Sequence, residues 1–167
     1  MLIIATKLSD IRFSDLMEVY LEGNTQNGSE RYPTHSPQQQ LLFAEQDFYQ
    51  YLQEVFFRQK HAVYALWQAG SRYTAALRLE PYLEGLLISA LETRPDDRHK
   101  GYAAMLINAV IDYLAADGGG ILYSHVSKHN KASIVVHQKC GFEKILDHAV
   151  YLDGSVMNNC YTFQINI

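Results

Sequence analysis

The stretch Leu86–Leu114, LLISALETRPDDRHKGYAAMLINAVIDYL, decides the fold. Leu86, Leu87, Ile88, Ala90 and Leu91 form an apolar run that ends at Glu92-Thr93. A polar turn follows, Arg94-Pro95-Asp96-Asp97, and then Arg98-His99-Lys100-Gly101-Tyr102-Ala103. Beyond it, Leu106, Ala109, Val110, Tyr113 and Leu114 recur at helical spacing on one face. The reading is a buried strand, a tight basic turn and a helix. A glycine at a helix start lets a ligand approach the backbone closely. The free N–H groups and dipole there favour an anion such as phosphate, and Arg98 and Lys100 add positive charge.

Working outward, 167 residues suit one domain with a substantial core. A content of 48% hydrophobic and 19% charged residues is that of a globular chain. The net charge of −4 excludes a general affinity for nucleic acid. One basic turn in a mildly acidic chain points to one anionic ligand, and the acidic remainder mildly favours a cationic second one. Cys140 and Cys160 have neither CxxC nor zinc spacing and read as reduced thiols, which predicts a cytoplasmic protein. The apolar part of MLIIATKLSD is too short for a signal peptide, and no apolar run is long enough to span a membrane.

In chain order, Leu2–Ala5 reads as a strand. Phe13, Leu16, Met17, Tyr20 and Leu21 predict an amphipathic helix stopped by Gly23-Asn24. The polar segment Asn24–His35, with Gly28 and Pro33, reads as a loop and a candidate substrate loop. Ser36-Pro37-Gln38-Gln39 is a helix start with a capping box, and the helix runs to Phe57. His61–Gln68 and Arg72–Glu80 predict a hairpin that leads into the strand above. Gly118-Gly119-Gly120 ends the central helix, Ile121–Val126 is a strand, and Asn130–Cys140 is a helix capped by Asn130. Phe142–Leu152 and Val156–Ile165 predict two final strands around Asp153-Gly154. The order βααβββαβαββ predicts an α/β (α+β) class, a single domain over residues 1–167 with a mixed sheet and helices on both faces.

This order, with these residues, resembles the GNAT superfamily of acyl-CoA N-acyltransferases. Arg98-His99-Lys100-Gly101-Tyr102-Ala103 is similar to that family's phosphate-binding pattern: Arg or Gln, two residues, Gly, one residue, Gly or Ala. A second motif, Asn130 to Phe142 (NKASIVVHQKCGF), looks like the family helix that opens on Asn and closes on Gly-Phe. The resemblance runs from about Ala62 to Phe163, and the first 60 residues match only in their helix pattern. It implies a mostly antiparallel mixed sheet and acetyl-CoA as co-substrate. By position, the N–H groups of His99, Lys100, Gly101, Tyr102, Ala103 and Ala104 should cradle the CoA pyrophosphate beside Arg98. Leu91 to Thr93 should pair with the pantetheine arm and supply an oxyanion donor, and Asn130 and Ser133 should hydrogen-bond that arm.

The sequence departs from the family where many members carry a tyrosine acid for the CoA thiolate. His137 stands there. With a reference pKa of about 6.5, it either donates that proton or only contacts CoA while solvent supplies it. Glu92 is the first candidate base and His125 the second, and a water chain is the third. His125 and His129 lack a third ligand of suitable spacing, so no metal is expected. Cys140 reads as a buried helix-end thiol. The resemblance thus implies transfer of an acetyl group to a primary amine, on a small molecule or a peptide N-terminus, by direct attack in a ternary complex. The alternative is a non-catalytic acyl-CoA sensor or assembly subunit. The acceptor cleft is expected from the first two helices, Gly23–His35 and the last hairpin, His148–Cys160. A homodimer is compatible with all of this.

Overall fold

The computed structural model describes residues 1–167. One seven-stranded sheet runs through it, in the order β1-β2-β3-β4-β5-β9-β6. Its strands are β1 (Leu2–Ala5), β2 (Val63–Ala69), β3 (Arg72–Tyr82), β4 (Gly85–Thr93), β5 (Ile121–Ser127), β6 (Glu143–Leu146) and β9 (Cys160–Asn166). Only β4 and β5 run parallel. The remaining strands, β7 (Ala149–Val150) and β8 (Val156–Met157), form a separate hairpin.

Helices cover both faces, as the alternation of strand residues requires. On one face, Tyr64, Leu66, Tyr73 and Ala76 pack under α1 (Phe13–Val19) and α3 (Pro37–Glu54), through Leu16, Met17 and Leu52. On the other, Ala65, Ala75, Leu77 and Leu122 pack under α4 (Tyr102–Ala116), through Leu106, Ile107 and Val110. The helix α5 (Lys131–Lys139) lies beside α4, where the Cys140 thiol sits 3.8 Å from the Ala104 carbonyl. The capping box holds at α3: Ser36 Oγ accepts from Gln39 N–H at 3.4 Å, and Gln39 Oε1 accepts from Ser36 N–H at 3.2 Å. No helix is long and apolar enough to cross a membrane.

Two expectations are corrected. Gly23-Asn24 does not stop a helix and most of Asn24–His35 is not a loop, because α1 ends at Val19 and α2 occupies Leu21–Arg31, leaving only Tyr32–His35 as connector. Its glycine and polar residues have a packing purpose. Gly28 is buried, and a Cβ there would run into the Gln40 carbonyl of α3. The two helices meet at backbone distance, fastened by Arg31–Asp47 at 2.8 Å and by the Tyr32 hydroxyl donating to Asp47 at 2.7 Å. The two long C-terminal strands are each cut in two. The Thr162 hydroxyl donates to the His148 carbonyl at 2.7 Å, and the Tyr82 hydroxyl to the Val150 carbonyl at 2.6 Å. These bonds draw β7 and β8 out of the main ladder, while β9 inserts between β5 and β6.

The two glycines of α2 should therefore respond oppositely to alanine. Gly28→Ala must push α2 off α3 and should cost about 1–3 kcal/mol. Gly23→Ala meets nothing within 4 Å and should be neutral or stabilise by up to about 1 kcal/mol. Denaturant unfolding of both variants checks this; equal effects would contradict the close helix contact.

Candidate active site

The pairing of β4 with β5 stops at Ile88–Ser124. Beyond it, β4 carries one extra residue against β3: Ala76 faces Glu92 while Arg78 faces Ser89. Within that bulge Ala90 takes φ +50°, a conformation that L-residues seldom adopt. Its carbonyl is held from below by the Tyr20 hydroxyl of the α1–α2 junction, at 2.7 Å. The strand bends away from β5, and a cleft of about 180 Å³ opens between them.

Ser89, Ala90 and Leu91 line one wall of this cleft, Ser124 to Ser127 the other, and Asn130, Ser133 and His137 of α5 its end. The fold thus brings together Leu91, His125, Asn130, Ser133 and His137. A larger hollow of about 240 Å³ lies elsewhere, between α2 and α3.

Next to the cleft, the segment His99–Ala104 leads into α4. His99 has φ +62° and Gly101 φ +82°. No backbone N–H from His99 to Ala104 donates a hydrogen bond, and α4 has no side-chain cap. The Cβ that Gly101 lacks would point into open space. These free donors at a helix start make an anion-binding surface.

The cations beside it are already engaged. Lys100 Nζ donates to Asp97 Oδ1 at 2.7 Å and to the Asp96 carbonyl at 2.9 Å. Arg72 reaches the same Asp97 oxygen at 2.8 Å. Asp97 is only 2% exposed, and its carboxylate is held below the usual range by the bond from Lys100, although burial opposes this. It acts as a strut under the turn. Arg98 pairs with Glu22 at 2.7 Å on the surface. So the groups left free at this turn are chiefly backbone N–H.

The titratable groups divide by environment. His137 is 1% exposed, against Phe142 and Phe163. Its Nδ1 lies 2.8 Å from the Ser133 carbonyl. A carbonyl only accepts, so Nδ1 carries the proton and the buried Nε2 presents an unpartnered lone pair. Burial pushes this imidazole below its ordinary value, against the bond to Ser133. Burial also lowers His125, whose two ring nitrogens lack partners between the edges of Tyr82 and Tyr151. Glu92 sits on the α1 face beyond the bulge, opposite Ala76, and pairs with neither Arg94 nor Arg98. Desolvation raises its carboxyl, and the neighbouring Arg98 offsets part of the rise. Thr93 pairs with Ala75 past the cleft. Asn130 Oδ1 caps α5 through Ser133 N–H at 3.0 Å. Burial raises the Cys140 thiol, which keeps it protonated. No group of three or more His, Cys, Asp or Glu residues is arranged to hold a metal.

Three structural contributors had no separate signal in the sequence: Ala90 at the bulge, Tyr20 beneath it and Asp97 under the turn. The first is an ordinary residue in an unusual conformation. The others act across the chain, at separations that no local pattern reports.

The sequence profile of the "Acetyltransferase (GNAT) family" matches residues 23–142. The match begins well before the Ala62 expected from the motifs and ends before Phe163. Several solved structures share the fold at low identity. The ribosomal-protein-S18-alanine N-acetyltransferase of Escherichia coli is 16% identical, with TM-score 0.62, over 100% of this chain and 94% of that one. The PaiA N-acetyltransferase of Thermoplasma acidophilum, solved with coenzyme A, is 14% identical, with TM-score 0.65, over 100% and 99%. A spermidine N-acetyltransferase SpeG chimera from Vibrio cholerae and hSSAT is 17% identical, with TM-score 0.59, over 99% and 95%. A comparison with curated protein sequences gives no match.

The buried neutral histidines tie stability to pH. Both folded values are depressed, so their contribution is complete above the unfolded value of about 6.5 and is lost as pH falls through the folded values. Denaturant midpoints should drop as pH is lowered from 7 towards 5. His137→Phe should flatten that dependence; an unchanged slope would mean that His137 is not the buried neutral group.

Proposed function

The chain belongs to the GNAT acetyltransferase family, and from that premise we propose that it transfers an acetyl group from acetyl-CoA to a primary amine by direct attack in a ternary complex. The reading is of one domain spanning residues 1–167, acting in the cytoplasm. The observation that carries it is the cleft where β4 parts from β5, next to the free N–H groups of His99–Ala104. A backbone edge left without a strand partner suits a ligand that supplies amides in place of the missing strand. An array of free N–H groups at a helix start suits a pyrophosphate.

In this reading His99 to Ala104 hold the pyrophosphate, with Gly101 leaving room for it and Arg98 at the rim. Leu91 to Thr93 accompany the pantetheine arm, and an N–H at the bulge stabilises the oxyanion. Asn130 and Ser133, besides making their own cap, face the same arm.

Two carboxyl or imidazole groups compete for the role of base. His125 is preferred over Glu92, because it lines the cleft as a neutral ring with an open lone pair. Glu92 does not line the cleft and lies one step further along the strand, opposite Ala76. The amine nitrogen attacks the thioester carbon and passes a proton to the base. The new C–N bond gives the tetrahedral oxyanion, which collapses as the C–S bond breaks, and the sulfur leaves as thiolate. His137 offers Nε2 as an acceptor and holds its one proton on the Ser133 carbonyl. This supports the reading in which solvent protonates the thiolate, and His137 positions the end of the arm.

Titration calorimetry with acetyl-CoA, ATP and NAD tests the cofactor, and CoA-thiol release across amines tests the transfer. Selective binding of acetyl-CoA and amine-dependent thiol release are expected. Binding of ATP or NAD instead would overturn the reading. Gly101→Val should weaken acetyl-CoA binding by roughly 10-fold or more, since φ +82° and the ligand side both exclude a branched residue. His125→Gln should lower kcat by roughly 10²-fold with little change in acetyl-CoA affinity. If Glu92→Gln does so instead, the base assignment is reversed.

A further inference from the structure

Alternation along the β3–β4 ladder fixes which way the backbone of the bulge points. Arg94 N–H donates to the Thr74 carbonyl at 2.9 Å, in the register of Ala75–Thr93 and Ala76–Glu92. Antiparallel pairs alternate between hydrogen-bonded and open ones, so Thr74–Arg94 and Ala76–Glu92 are the bonded kind. Leu91, one residue before Glu92, therefore turns its N–H and carbonyl away from β3, towards the side where β5 has left the sheet. The peptide that joins Ala90 to Leu91 is trans, so its carbonyl and its N–H point in opposite directions. One arm of that peptide is the Ala90 carbonyl, which takes the Tyr20 hydroxyl at 2.7 Å. The other arm is Leu91 N–H, on the cleft side, and both residues line the cleft.

Tyr20 is built to hold still. It is the one residue between α1 and α2, with its N–H on the Leu16 carbonyl at 3.3 Å and its carbonyl taking Asn24 N–H at 2.8 Å. It is 7% exposed, and its ring lies 5.3 Å from Phe48 and 6.5 Å from Tyr64, centroid to centroid. A hydrogen bond in such a low-dielectric setting is strong, and it polarises the amide that accepts it, so the opposite N–H becomes a better donor. The same bond opposes the return of Ala90 from φ +50° to the usual negative range, because that rotation would swing the carbonyl off the hydroxyl.

We propose that Tyr20 is a positioning residue for acetyl transfer: by holding the Ala90 carbonyl, it aims Leu91 N–H at the place where the thioester oxygen becomes an oxyanion. The proposal rests on the acetyltransferase reading above, and it assigns the oxyanion donor and the group that orients it. Tyr20 touches neither acetyl-CoA nor the amine; its effect passes through one peptide. A donor fixed in advance needs no reorganisation as charge develops. Without the hydroxyl that peptide is released, and in its rotated form it would present a carbonyl oxygen to the oxyanion.

The experiment uses Tyr20→Phe, which keeps the ring and removes only the hydroxyl. Turnover is followed by thiol release. The bound thioester is followed, with no amine present, by infrared difference spectroscopy of acetyl-CoA isotopically labelled at its carbonyl carbon. In Tyr20→Phe, kcat should fall by roughly 10-fold or more while the Kd for acetyl-CoA stays within about 2-fold. In the wild-type complex the thioester carbonyl band should lie below that of free acetyl-CoA, and in Tyr20→Phe it should move back towards the free position. The loss in kcat should be uniform from about pH 6 to 9, because burial raises the Tyr20 hydroxyl and keeps its proton on. Phe56→Leu, whose ring packs on Phe57 and Tyr64 in the same core, should lower stability and leave the band where it is. A Tyr20→Phe variant that loses stability as Phe56→Leu does, but keeps both kcat and the band, overturns the proposal and leaves the acetyltransferase reading intact. So does a wild-type band at the free position with thiol release, and so does a kcat loss that changes with pH, which would make Tyr20 a proton donor. A lowered band that relaxes in Tyr20→Phe, with no thiol release for any amine, retains the orienting role and overturns the transfer reading. Failure of the folded protein to bind acetyl-CoA overturns both.

Discussion

The structure depends on a single loss of pairing, where β4 and β5 stop being neighbours after Ile88–Ser124. A parallel pair in the middle of a sheet has every reason to continue, since unpaired backbone groups in a buried setting cost free energy. Here continuation is blocked by an extra residue. The bulge at Ala90–Leu91 turns β4 away, and Ala90 is kept at φ +50° by the Tyr20 hydroxyl on its carbonyl. The cleft, the exposed backbone edge and the gap between the Ser89 and His125 positions all follow from that bend.

Around the bend, the chain satisfies its polar groups selectively. Asp97 draws Lys100 and Arg72 beneath the turn and so fixes it without using its N–H groups. The donors from His99 to Ala104 remain free, while the lysine that looks in sequence like a phosphate contact has a structural partner. The same economy holds in α5. Asn130 closes the first turn, Ser133 holds His137 through its carbonyl, and the ring nitrogen left over is buried without a partner, in a residue that lines the place where the two strands part. Burial makes that nitrogen a lone pair and not a proton donor.

Much of this was legible in the sequence. Leu86–Leu91 and the Leu106–Leu114 stripe identify the central strand and helix because their periods differ and a basic turn separates them. Asn130 and Gly141 bracket α5, and the Ser36 box starts α3. The misreadings have one physical origin: tertiary contacts overriding local propensity. Gly28 is a turn signal in isolation and a helix-contact residue against Gln40. Phe142–Leu152 has strand composition throughout, but Tyr82 and Thr162, distant in the chain, take up the carbonyls that would have continued the ladder. In the site, Gly101, His125 and His137 are visible as residue types.

The most direct measurement is amide hydrogen exchange with and without acetyl-CoA. The account expects the free protein to exchange quickly at Leu91 and from His99 to Ala104, with slow exchange in the β2–β3 ladder. Acetyl-CoA should slow exchange at those fast sites and at the N-terminus of α5, and should leave the α2–α3 contact unchanged. Protection that appears between α2 and α3, or an absence of any change at His99–Ala104 with the ligand bound, would contradict the claim that the parting of β4 from β5 and the open turn beside it form the binding site.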